Sequence, residues 1–480
     1  MDEKDRIIEE LRALVAELTK QVQQQAARIA DLELALAKAK KDSSTSSKPP
    51  SSDLVQPKPK PTNARRKKPR QGGQPGHPRH LRELLPPDRV NERVDVTLDE
   101  DRVRDLQLTP TGEVQVTQHI ELPEHPIWVT EYRRVVYRDP LGHRHVPDLP
   151  PATTTLLGPR LLAAVGWLKT VGHLSYTTLE AWMEDVLGVP ISRGYLATVC
   201  TRTISESLAE AYQEVQDAIP HQDQLGSDET SLKNNGVRHW IWCITAVTFS
   251  FFQIAKTRSR SVLEELVGTE FAGYLNFDYF SSNCSFAWTY DIKAQYCWAH
   301  LIRDIRFLLK YPDPDTQVWA EQLLDRSRRL FSAWHRRDAM TPAGFRRSML
   351  VHRDRFLDLV RYPPDSTEAE TLSVRFDLVA YRVAETGERG FYDQSEDYFR
   401  FLFAEGVEPT NNHTEQQIRH CVIDRKITQG TRSDAGQRFL ERVWTTIATC
   451  QKQGRNVFQF LCESITAKLQ QQPAPSLLHD

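Results

Sequence analysis

The feature that most constrains this chain is a seven-residue repeat of apolar side chains at its amino terminus. Two heptad positions are apolar between residues 1 and 40: the first holds Ile8, Val15, Val22, Ile29 and Leu36, and the second holds Leu11, Leu18 and Leu32. Mostly β-branched residues at the first position, with leucine at the second, favour a parallel two-stranded coiled coil. We therefore predict that residues 1–40 form a coiled-coil dimerisation helix. A single amphipathic helix packed on its own domain is the alternative.

The next segment, residues 41–90, is predicted to be a Pro- and Ser-rich basic linker. Its composition cannot bury enough apolar surface to fold alone. Its basic run includes Arg65, Arg66, Lys67 and Lys68, with no acidic residue among them. Each of these side chains can neutralise a DNA phosphate and release a counterion. A DNA-binding arm and a merely solvated linker are both open at this point.

Residues 91–150 are predicted to form a small β-rich module, with strands at 114–118 and 127–137. No cysteine precedes Cys200, so this module lacks the thiols of a structural zinc site. The seven cysteines of the chain include no C-x-x-C pair. This spacing argues against zinc and against disulfides, and it favours a reducing compartment.

Residues 151–220 have a helical pattern with the outline of a helix-turn-helix. Helices are predicted at 176–187 and 193–204, joined by a glycine-containing turn, with Ser192 capping the second helix. Arg193 would then stand at the start of the second helix, where base edges are contacted. The same outline also occurs inside ordinary helical bundles.

Residues 221–312 have the β-rich pattern of the first part of a mixed-sheet core. Strands are predicted at 240–246, 249–254 and 273–277, the first two as a pair. Residues 313–405 are predicted to be an all-α insertion. Residues 406–470 are predicted to form the second part of the core and the carboxy-terminal helices.

Two aspartates lie where strands should end, Asp228 after a short apolar stretch and Asp278 after residue 277. Such positions reach the carboxyl edge of a sheet, where sites of α/β folds collect. Carboxylates brought together repel each other unless a cation lies between them, and Mg²⁺ prefers oxygen ligands. Two ions about 4 Å apart can activate a water and stabilise the leaving oxygen of a phosphate. A turn or a helix cap is the ordinary alternative for each aspartate.

Glu415 has an ordinary explanation in its local sequence. With Asn412 as the helix cap, Glu415 falls at the third helical position, which is a capping box. Residue patterning alone therefore predicts no function for Glu415.

Length and composition limit the class of protein. A chain of 480 residues is too long for one hydrophobic core, and 39% hydrophobic and 26% charged residues are ordinary for a soluble protein. The longest apolar run, residues 240–255, includes polar residues and is shorter than the roughly 20 residues of a membrane-spanning helix. The amino terminus is charged, unlike a secretory signal. We predict a cytoplasmic protein with no membrane partner.

Several sequence blocks, in their order, resemble the transposases of the insertion-sequence-66 family over nearly the whole chain. After the coiled coil these blocks are PPSSD at 49–53, GGQPGH at 72–77, SDETS at 227–231, WIW at 240–242, GYLNFDY at 273–279, CWAHLIR at 297–303, NNHTE at 411–415, IR at 418–419, RK at 425–426 and GTR at 430–432. Each block is weak alone, and their order and spacing together are specific.

The resemblance implies an α/β multidomain protein: a coiled coil, a helical DNA-binding region and a ribonuclease-H-like catalytic core with a helical insertion. It implies a DDE-type site with Asp228 on the first strand, Asp278 after the fourth and Glu415 on a later helix. These three acids would hold two Mg²⁺ or Mn²⁺ ions. The implied reaction is hydrolysis at transposon ends, followed by attack of the freed 3′-hydroxyl on target DNA.

Further residues are assigned roles through the same blocks. Asn411 and Asn412 would shape the turn that aims Glu415, and Trp298 would be structural near the site. Candidate contacts to DNA phosphate are His300, Arg303, Arg419, Arg425 and Lys426. A surface ion pair is equally open for His300 and Arg303.

The resemblance also implies partners: DNA, a second copy of the chain through residues 1–40, and small accessory proteins of the same element. A nucleoid-associated location follows. The family's zinc module between residues 91 and 150 is absent, and Asp278 is followed by Tyr279-Phe280 instead of a Gly-Tyr pair. Two alternatives stay open: an inactive or domesticated DNA-binding assembly protein, and a structure-selective nuclease of the same fold.

Overall fold

The computed structural model describes residues 3–39, 83–112, 114–150, 153, 155–382 and 389–478. The chain divides into two units, one of Pro59–Glu131 and one of Met1–Lys58 together with Tyr132–Asp480. The predicted basic residues Arg65, Arg66, Lys67 and Lys68 lie outside the described residues. The two units are therefore treated separately below.

The helices and strands have the following bounds. The helices are α1 (Glu3–Ala39), α2 (Glu100–Asp105), α3 (Pro159–Thr170), α4 (Tyr176–Asp185), α5 (Arg193–Thr198), α6 (Ser205–Ser207), α7 (Ala209–Ala218), α8 (Ser261–Leu266), α9 (Ser281–Tyr290), α10 (Trp298–Leu308), α11 (Pro314–Trp334), α12 (Pro342–Val360), α13 (Thr367–Ser373), α14 (Asn412–Thr428), α15 (Asp434–Lys452) and α16 (Val457–Leu469). The strands are β1 (Tyr137–Arg138), β2 (Arg144–His145), β3 (Gln224–Asn234), β4 (Val237–Thr245), β5 (Ser250–Ala255), β6 (Tyr274–Phe277), β7 (Lys293–Tyr296), β8 (Leu378–Arg382) and β9 (Arg389–Asp393).

The core of the larger unit is a five-stranded mixed sheet in the order β5-β4-β3-β6-β7. Strands β3, β4 and β5 pair antiparallel, whereas β6 is parallel to β3 and β7 is parallel to β6. Asn235 and Gly236 join β3 to β4, both with positive φ, as a two-residue hairpin turn requires. Helix α14 packs on β3 and β4, and α15 packs on β5. This arrangement is consistent with a ribonuclease-H-like core, and the predicted pairing of 240–246 with 249–254 is confirmed.

The helical hairpin predicted around residue 190 is present in the structure. Helix α4 is capped by Ser175, and α5 is capped by Ser192, whose side chain accepts from the Tyr195 N–H. After α5 the chain continues in a π-helical segment, Val199–Ile204, so the second helix reaches the predicted end. Leu179, Met183 and Leu196 are buried, because the inner face of the hairpin packs into the core.

Two expectations for the irregular parts of the chain are wrong. Residues 114–118 form no strand: Val114 and Val116 are exposed, and the side-chain amide of Gln118 instead exchanges two hydrogen bonds with the backbone of Leu85. Of residues 127–137 only the last belongs to a strand, the two-residue β1 paired with β2. Apolar alternation predicts strands only where a partner strand completes the hydrogen bonds.

The insertion between Asp278 and Glu415 is not all-α as predicted. Helices α11, α12 and α13 make up most of it, but β8 and β9 pair antiparallel within it. Both strands are rich in aromatic and aliphatic residues and only five residues long, a length at which helix and strand patterns are hard to tell apart.

An aromatic cluster joins the insertion to the core around Trp298. The indole is fully buried, and its ring centre lies 5.2–6.3 Å from the rings of Phe331, Phe356, Tyr398, Phe399 and Phe401. Its Nε1–H donates to the Tyr398 carbonyl. Trp298 is also the first residue of α10, so the cluster fixes the start of that helix.

Helix α1 confirms the helical part of the amino-terminal prediction, over Glu3–Ala39. Its heptad side chains are half or more exposed: Leu11, Val15, Leu18, Val22, Ile29, Leu32 and Leu36. An exposed apolar stripe of this length is typical of a surface that pairs with another helix. Dimerisation through it stays a prediction.

Among the helices of the described residues, none has the length and apolar character needed to cross a bilayer.

Replacing Trp298 by alanine is expected to destabilise the larger unit by roughly 3–5 kcal/mol, because a large cavity opens in a packed aromatic cluster. Chemical denaturation followed by circular dichroism measures this loss. Tyr362→Ala is the control: Tyr362 lies in the same unit and is 80% exposed, so its removal changes stability by no more than about 0.5 kcal/mol. Equal effects of the two substitutions would contradict the role given to Trp298.

The double substitution Leu11→Gln with Leu18→Gln is expected to lower the solution mass of the protein from dimer to monomer. Each leucine loses roughly 1.5–3 kcal/mol of burial in a coiled-coil seam. Sedimentation equilibrium gives the mass directly. Glu17→Gln, an exposed change on the same helix, should leave the dimer intact. A mutant with the mass of the parent protein would place the interface elsewhere.

Candidate active site

The amino-terminal turn of α14 is docked tightly on strand β3. Gly226 makes this approach possible: a Cβ atom there would collide with the Thr414 hydroxyl and crowd the Thr245 hydroxyl at 2.8 Å. Those two hydroxyls are hydrogen-bonded to each other at 2.8 Å. The Asn411 side-chain amide donates to the Ser227 carbonyl at 2.7 Å. Glu415, one residue after Thr414, is thereby held beside the strand that carries Asp228.

The capping box expected for Glu415 is not formed. Asn411, not Asn412, is the cap residue of α14, and its side chain bonds to β3 instead of to the helix. The Glu415 N–H donates to the Asn411 carbonyl at 3.1 Å. Asn412 is exposed. The predicted role of Asn411 in shaping this turn agrees with these contacts.

The segment before α14 is fixed by β6 and by the start of α10. The Asn276 amide donates to the carbonyls of Glu408 and Thr410 at 2.8 and 3.3 Å. The Trp298 N–H donates to the Pro409 carbonyl at 2.9 Å. The strand that delivers Asp278 and the helix that delivers Glu415 therefore share one set of backbone contacts.

The far end of α14 is anchored to β3 as well. Arg425 Nη1 donates to the Thr230 hydroxyl at 2.9 Å and also to the Ser231 carbonyl. Beyond the helix, the Thr431 N–H donates to the Lys233 carbonyl at 2.9 Å. Arg425 was predicted as a phosphate contact, and in this structure its guanidinium holds α14 on the sheet.

The three predicted acids are electrostatically coupled. Asp228 lies on β3, Asp278 directly follows β6, and Glu415 lies in the first turn of α14. Burial among protein atoms, and then the negative charges of Glu229, Asp278 and Glu415, raise the pKa of Asp228 well above its usual range. Burial and the charges of Glu229 and Glu415 raise the pKa of Asp278 to about 7. Both aspartates are only partly covered in surface area, so solvent still reaches them.

Glu415 is drawn toward α10. Its two carboxylate oxygens lie 3.7 Å from His300 Nδ1 and 3.8 Å from Arg303 Nη2. Burial, with the nearby charge of Arg303, lowers the pKa of His300 against the opposing effect of Glu415. The oxygens of Asp228, Asp278 and Glu415 do not all lie within 4.8 Å of one another, whereas ligand atoms of Cys297, His300 and Glu415 do.

Sequence reasoning missed a second ion pair inside the site. The Glu229 side chain is fully buried, and Arg258 Nε and Nη2 donate to its Oε1 at 2.6 and 2.5 Å. The guanidinium lies over the rings of Phe280, at 3.4 Å, and Trp240, at 4.9 Å. Burial raises the pKa of Glu229, and Arg258 opposes that rise. The acid next to Asp228 in the SDETS block was a visible signal, but no pattern pointed to Arg258.

Asn283 is a further polar residue beside Asp278 and Glu229. It is fully buried on α9 and lies close enough to lower the pKa of both Asp278 and Glu229. Neither of its amide atoms makes a hydrogen bond of ordinary length to a described residue.

The other residues predicted to contact DNA lie on two separate helices, α5 and α14. Arg419 and Lys426 are exposed on α14. Arg193 is largely exposed at the start of α5, and its Nε pairs with Glu180 at 3.1 Å.

The donor set of the three acids fits a hard divalent cation. All three offer carboxylate oxygens, the ligand type of Mg²⁺ and Mn²⁺. Glu415 Oε1 is buried with no hydrogen-bond partner among the described residues. The negative charges of Glu229, Asp278 and Glu415 all act on Asp228, and a bound cation would relieve this repulsion.

Comparison with known proteins gives two family matches. The model of the Transposase IS66 family matches residues 154–438, which include every residue of the site. A family of unknown function, DUF6444, matches residues 2–83, which include α1. No curated protein matches the chain. Since the first match spans more than half of the sequence and all three acids, the chain belongs to the Transposase IS66 family.

Proposed function

We propose that this protein cleaves DNA at the ends of its transposon and joins the freed 3′-hydroxyl to target DNA, with Asp228, Asp278 and Glu415 as its catalytic residues. Family membership implies DNA transposase function, and DDE transposases generally use divalent metal ions. The observation that supports the finer proposal is the electrostatic coupling of Asp228, on the central strand β3, with Asp278, just after β6, and Glu415.

The fold holds each of the three acids in a different way. Asp228 is fixed within β3, between two paired strands, and Asp278 is fixed by the end of β6. Glu415 comes from a helix that is docked at both of its ends. These side chains would hold Mg²⁺ or Mn²⁺, which supplies a polarised water and charge neutralisation at the phosphate.

The Glu229–Arg258 pair supports the site without needing to touch DNA. The buried carboxylate of Glu229 adds repulsion at Asp228 and Asp278, and the positive charge of Arg258 offsets part of it at Asp278. The stacking of the guanidinium between two aromatic rings fixes its position. We infer that Glu229 and Arg258 are positioning residues that set the electrostatic field at Asp228 and Asp278.

DNA binding would use charged side chains on separate elements. Arg303 lies at the site itself, and Arg419 and Lys426 present exposed cations along α14. Arg193 is exposed on the helical hairpin. Phosphate contacts of this kind position DNA without reading its sequence. Pairing of two chains through α1 would bring two active sites to two transposon ends.

Asp228→Asn, Asp278→Asn and Glu415→Gln are each expected to abolish strand nicking with Mg²⁺ on DNA carrying the element's own ends. Loss of a direct metal ligand should exceed the roughly 10- to 100-fold loss caused by removing a group that only supports a ligand. Gel analysis of end-labelled DNA measures the rate, and circular dichroism checks the fold.

Asp291→Asn is the matched control for this series. Asp291 is exposed in the same core and has a left-handed backbone, which asparagine tolerates. It should retain the nicking rate of the parent protein. Cleavage by Asp228→Asn and Asp278→Asn at the parent rate would show that the assignment of the acids is wrong.

Asp278→Asn is also expected to stabilise the metal-free protein, and more so as the pH rises. The pKa of Asp278 is about 7 in the folded protein and about 3.9 when unfolded, so the folded state binds more protons between these values. The stability of the parent protein therefore falls as pH rises from about 4 to about 7, and the full penalty applies above that range. The substitution removes this penalty, which is at most about 4 kcal/mol for a shift of about three pKa units at about 1.4 kcal/mol each.

Thermal unfolding in chelator-treated buffer at about pH 5 and about pH 8 measures this difference. Added Mg²⁺ at about 100 times its Kd should stabilise the parent protein by about 2.7 kcal/mol at the higher pH, and should stabilise the Asp278→Asn variant less because that variant lacks one ligand. An Asp278→Asn variant that is less stable than the parent at both pH values, with no response of the parent to Mg²⁺, would contradict a repulsive metal-binding site.

A further inference from the structure

Cys297, His300 and Glu415 form a cluster of ligating atoms beside the proposed catalytic acids. Cys297 is the residue before α10, His300 lies one turn along that helix, and Glu415 faces them from α14. One ligand atom from each lies within 4.8 Å of the other two. Within the described ranges, no other set of three His, Cys, Asp or Glu side chains meets this condition.

Two atoms of the cluster lack the partner that their burial demands. His300 Nδ1 and Glu415 Oε1 are both inaccessible to solvent and make no hydrogen bond to the described part of the chain. They lie 3.7 Å apart, which is too far for a hydrogen bond. Buried polar atoms without a partner are uncommon, and a site for a bound ion is one of their ordinary explanations.

The spacing suits a tetrahedral ion. Bonds of about 2.0 Å to nitrogen and oxygen and about 2.3 Å to sulfur place neighbouring ligand atoms about 3.3–3.6 Å apart. Closing the cluster on one ion therefore requires only small side-chain adjustments.

Burial raises the pKa of the Cys297 thiol to about 11, and the Asn411 N–H, which donates to its Sγ at 3.2 Å, opposes that rise. Cys297 also stands at the amino-terminal end of α10, where the helix dipole stabilises negative charge. A metal ion bound to the sulfur would therefore have to displace the thiol proton. The unpartnered atoms of His300 and Glu415 make this more than a lone cysteine at a helix end.

We propose that Cys297, His300 and Glu415 bind a borderline-soft divalent ion, of which Zn²⁺ is the type, and that this ion withdraws Glu415 from the catalytic acids. Zn²⁺ takes thiolate, imidazole and carboxylate ligands, whereas Mg²⁺ takes oxygen. As the sulfur–metal bond forms, the Cys297 thiol releases its proton to solvent. The inhibitory consequence rests on the proposed function, but the binding does not.

Cobalt(II) substitution of the full-length protein tests the binding. A cobalt–thiolate bond gives a charge-transfer absorption band in the near ultraviolet, which zinc should abolish by displacing the cobalt. The parent protein and Cys462→Ser, which alters a cysteine outside the cluster, should both show the band. Cys297→Ser should lose it. His300→Gln keeps the thiol but should need at least roughly 10- to 100-fold more cobalt.

Absence of the band in the parent protein would overturn the proposal, and so would a band unchanged in Cys297→Ser. Circular dichroism confirms that each variant is folded. If Cys297→Ser does not fold, the His300→Gln titration decides, because an unaltered cobalt affinity there would exclude the cluster as the site.

Nicking in excess Mg²⁺ with increasing Zn²⁺ tests the consequence, each variant being compared with its own zinc-free rate. The parent protein and Cys462→Ser should be inhibited at zinc concentrations that displace the cobalt. Cys297→Ser should need roughly 10- to 100-fold more zinc. A parent protein that nicks normally with the site filled would overturn the inhibition. One that shows the cobalt band but never nicks would contradict the proposed function alone.

Discussion

Gly226 lets the first turn of α14 approach β3 so closely that a single methyl group on that residue would collide with the Thr414 hydroxyl. The remaining contacts of the site depend on this approach. With the helix at that distance, the Thr245–Thr414 hydrogen bond and the Asn411–Ser227 hydrogen bond can both form. Any larger residue at position 226 would push the helix outward. Glu415 would then move away from Asp228, although neither acid had been changed.

The electrostatics of the site follow from how many charges this docking brings together. Four carboxylates meet two guanidinium groups, Arg258 on Glu229 and Arg303 near Glu415. Among the described residues, Asp228 and Asp278 form no ion pair, and neighbouring negative charge raises the pKa of both, an effect that Arg258 only partly offsets at Asp278. Without a cation, a site of this kind opposes its own ionisation. Under the proposed function, its affinity for metal would rise as the carboxyl groups lose their protons.

The sequence predicts the regular parts of this fold well, because each depends on local patterning. The paired strands around residues 240–254 are two short apolar runs separated by a turn, which favours strands over a helix, and the two helices around residue 190 have visible caps. The strands predicted at residues 114–118 and 127–137 do not form as predicted, for a physical reason. A strand exists only with a partner, and apolar alternation cannot tell whether a partner is present. The short hairpin of β8 and β9 was missed because five residues carry too little periodicity.

The residues of the site also differ in how far the local sequence predicts them. The position of Asp278 could be predicted from the sequence, because it directly follows the apolar strand β6. The prediction that Asp228 stands at the end of a strand is wrong: it lies inside β3, which continues to Asn234 through its pairing with β4. Glu415 could be identified only by resemblance, because its own segment reads as a capped helix. The structure shows that Asn411 is the cap residue of α14 and that its side chain donates a hydrogen bond to β3 instead of capping the helix. Arg258 and the grouping of Cys297 with His300 and Glu415 were beyond prediction. The absence of C-x-x-C pairs argues against zinc in the sequence. A cysteine and a histidine three residues apart can nevertheless form a metal site together with an acid that is distant in the sequence.

Glu415 differs from the two aspartates in how freely its carboxylate can move. Asp228 and Asp278 are short side chains on or next to strands of a paired sheet, so their oxygens have little freedom. Glu415 has one more rotatable bond and stands on a helix between two sets of partners. Toward the sheet it faces two acids that repel it, and toward α10 it faces the guanidinium of Arg303, 3.8 Å away, which attracts it. Under the proposed function, a cation held by the two aspartates would offset their repulsion, and Glu415 would then complete the triad.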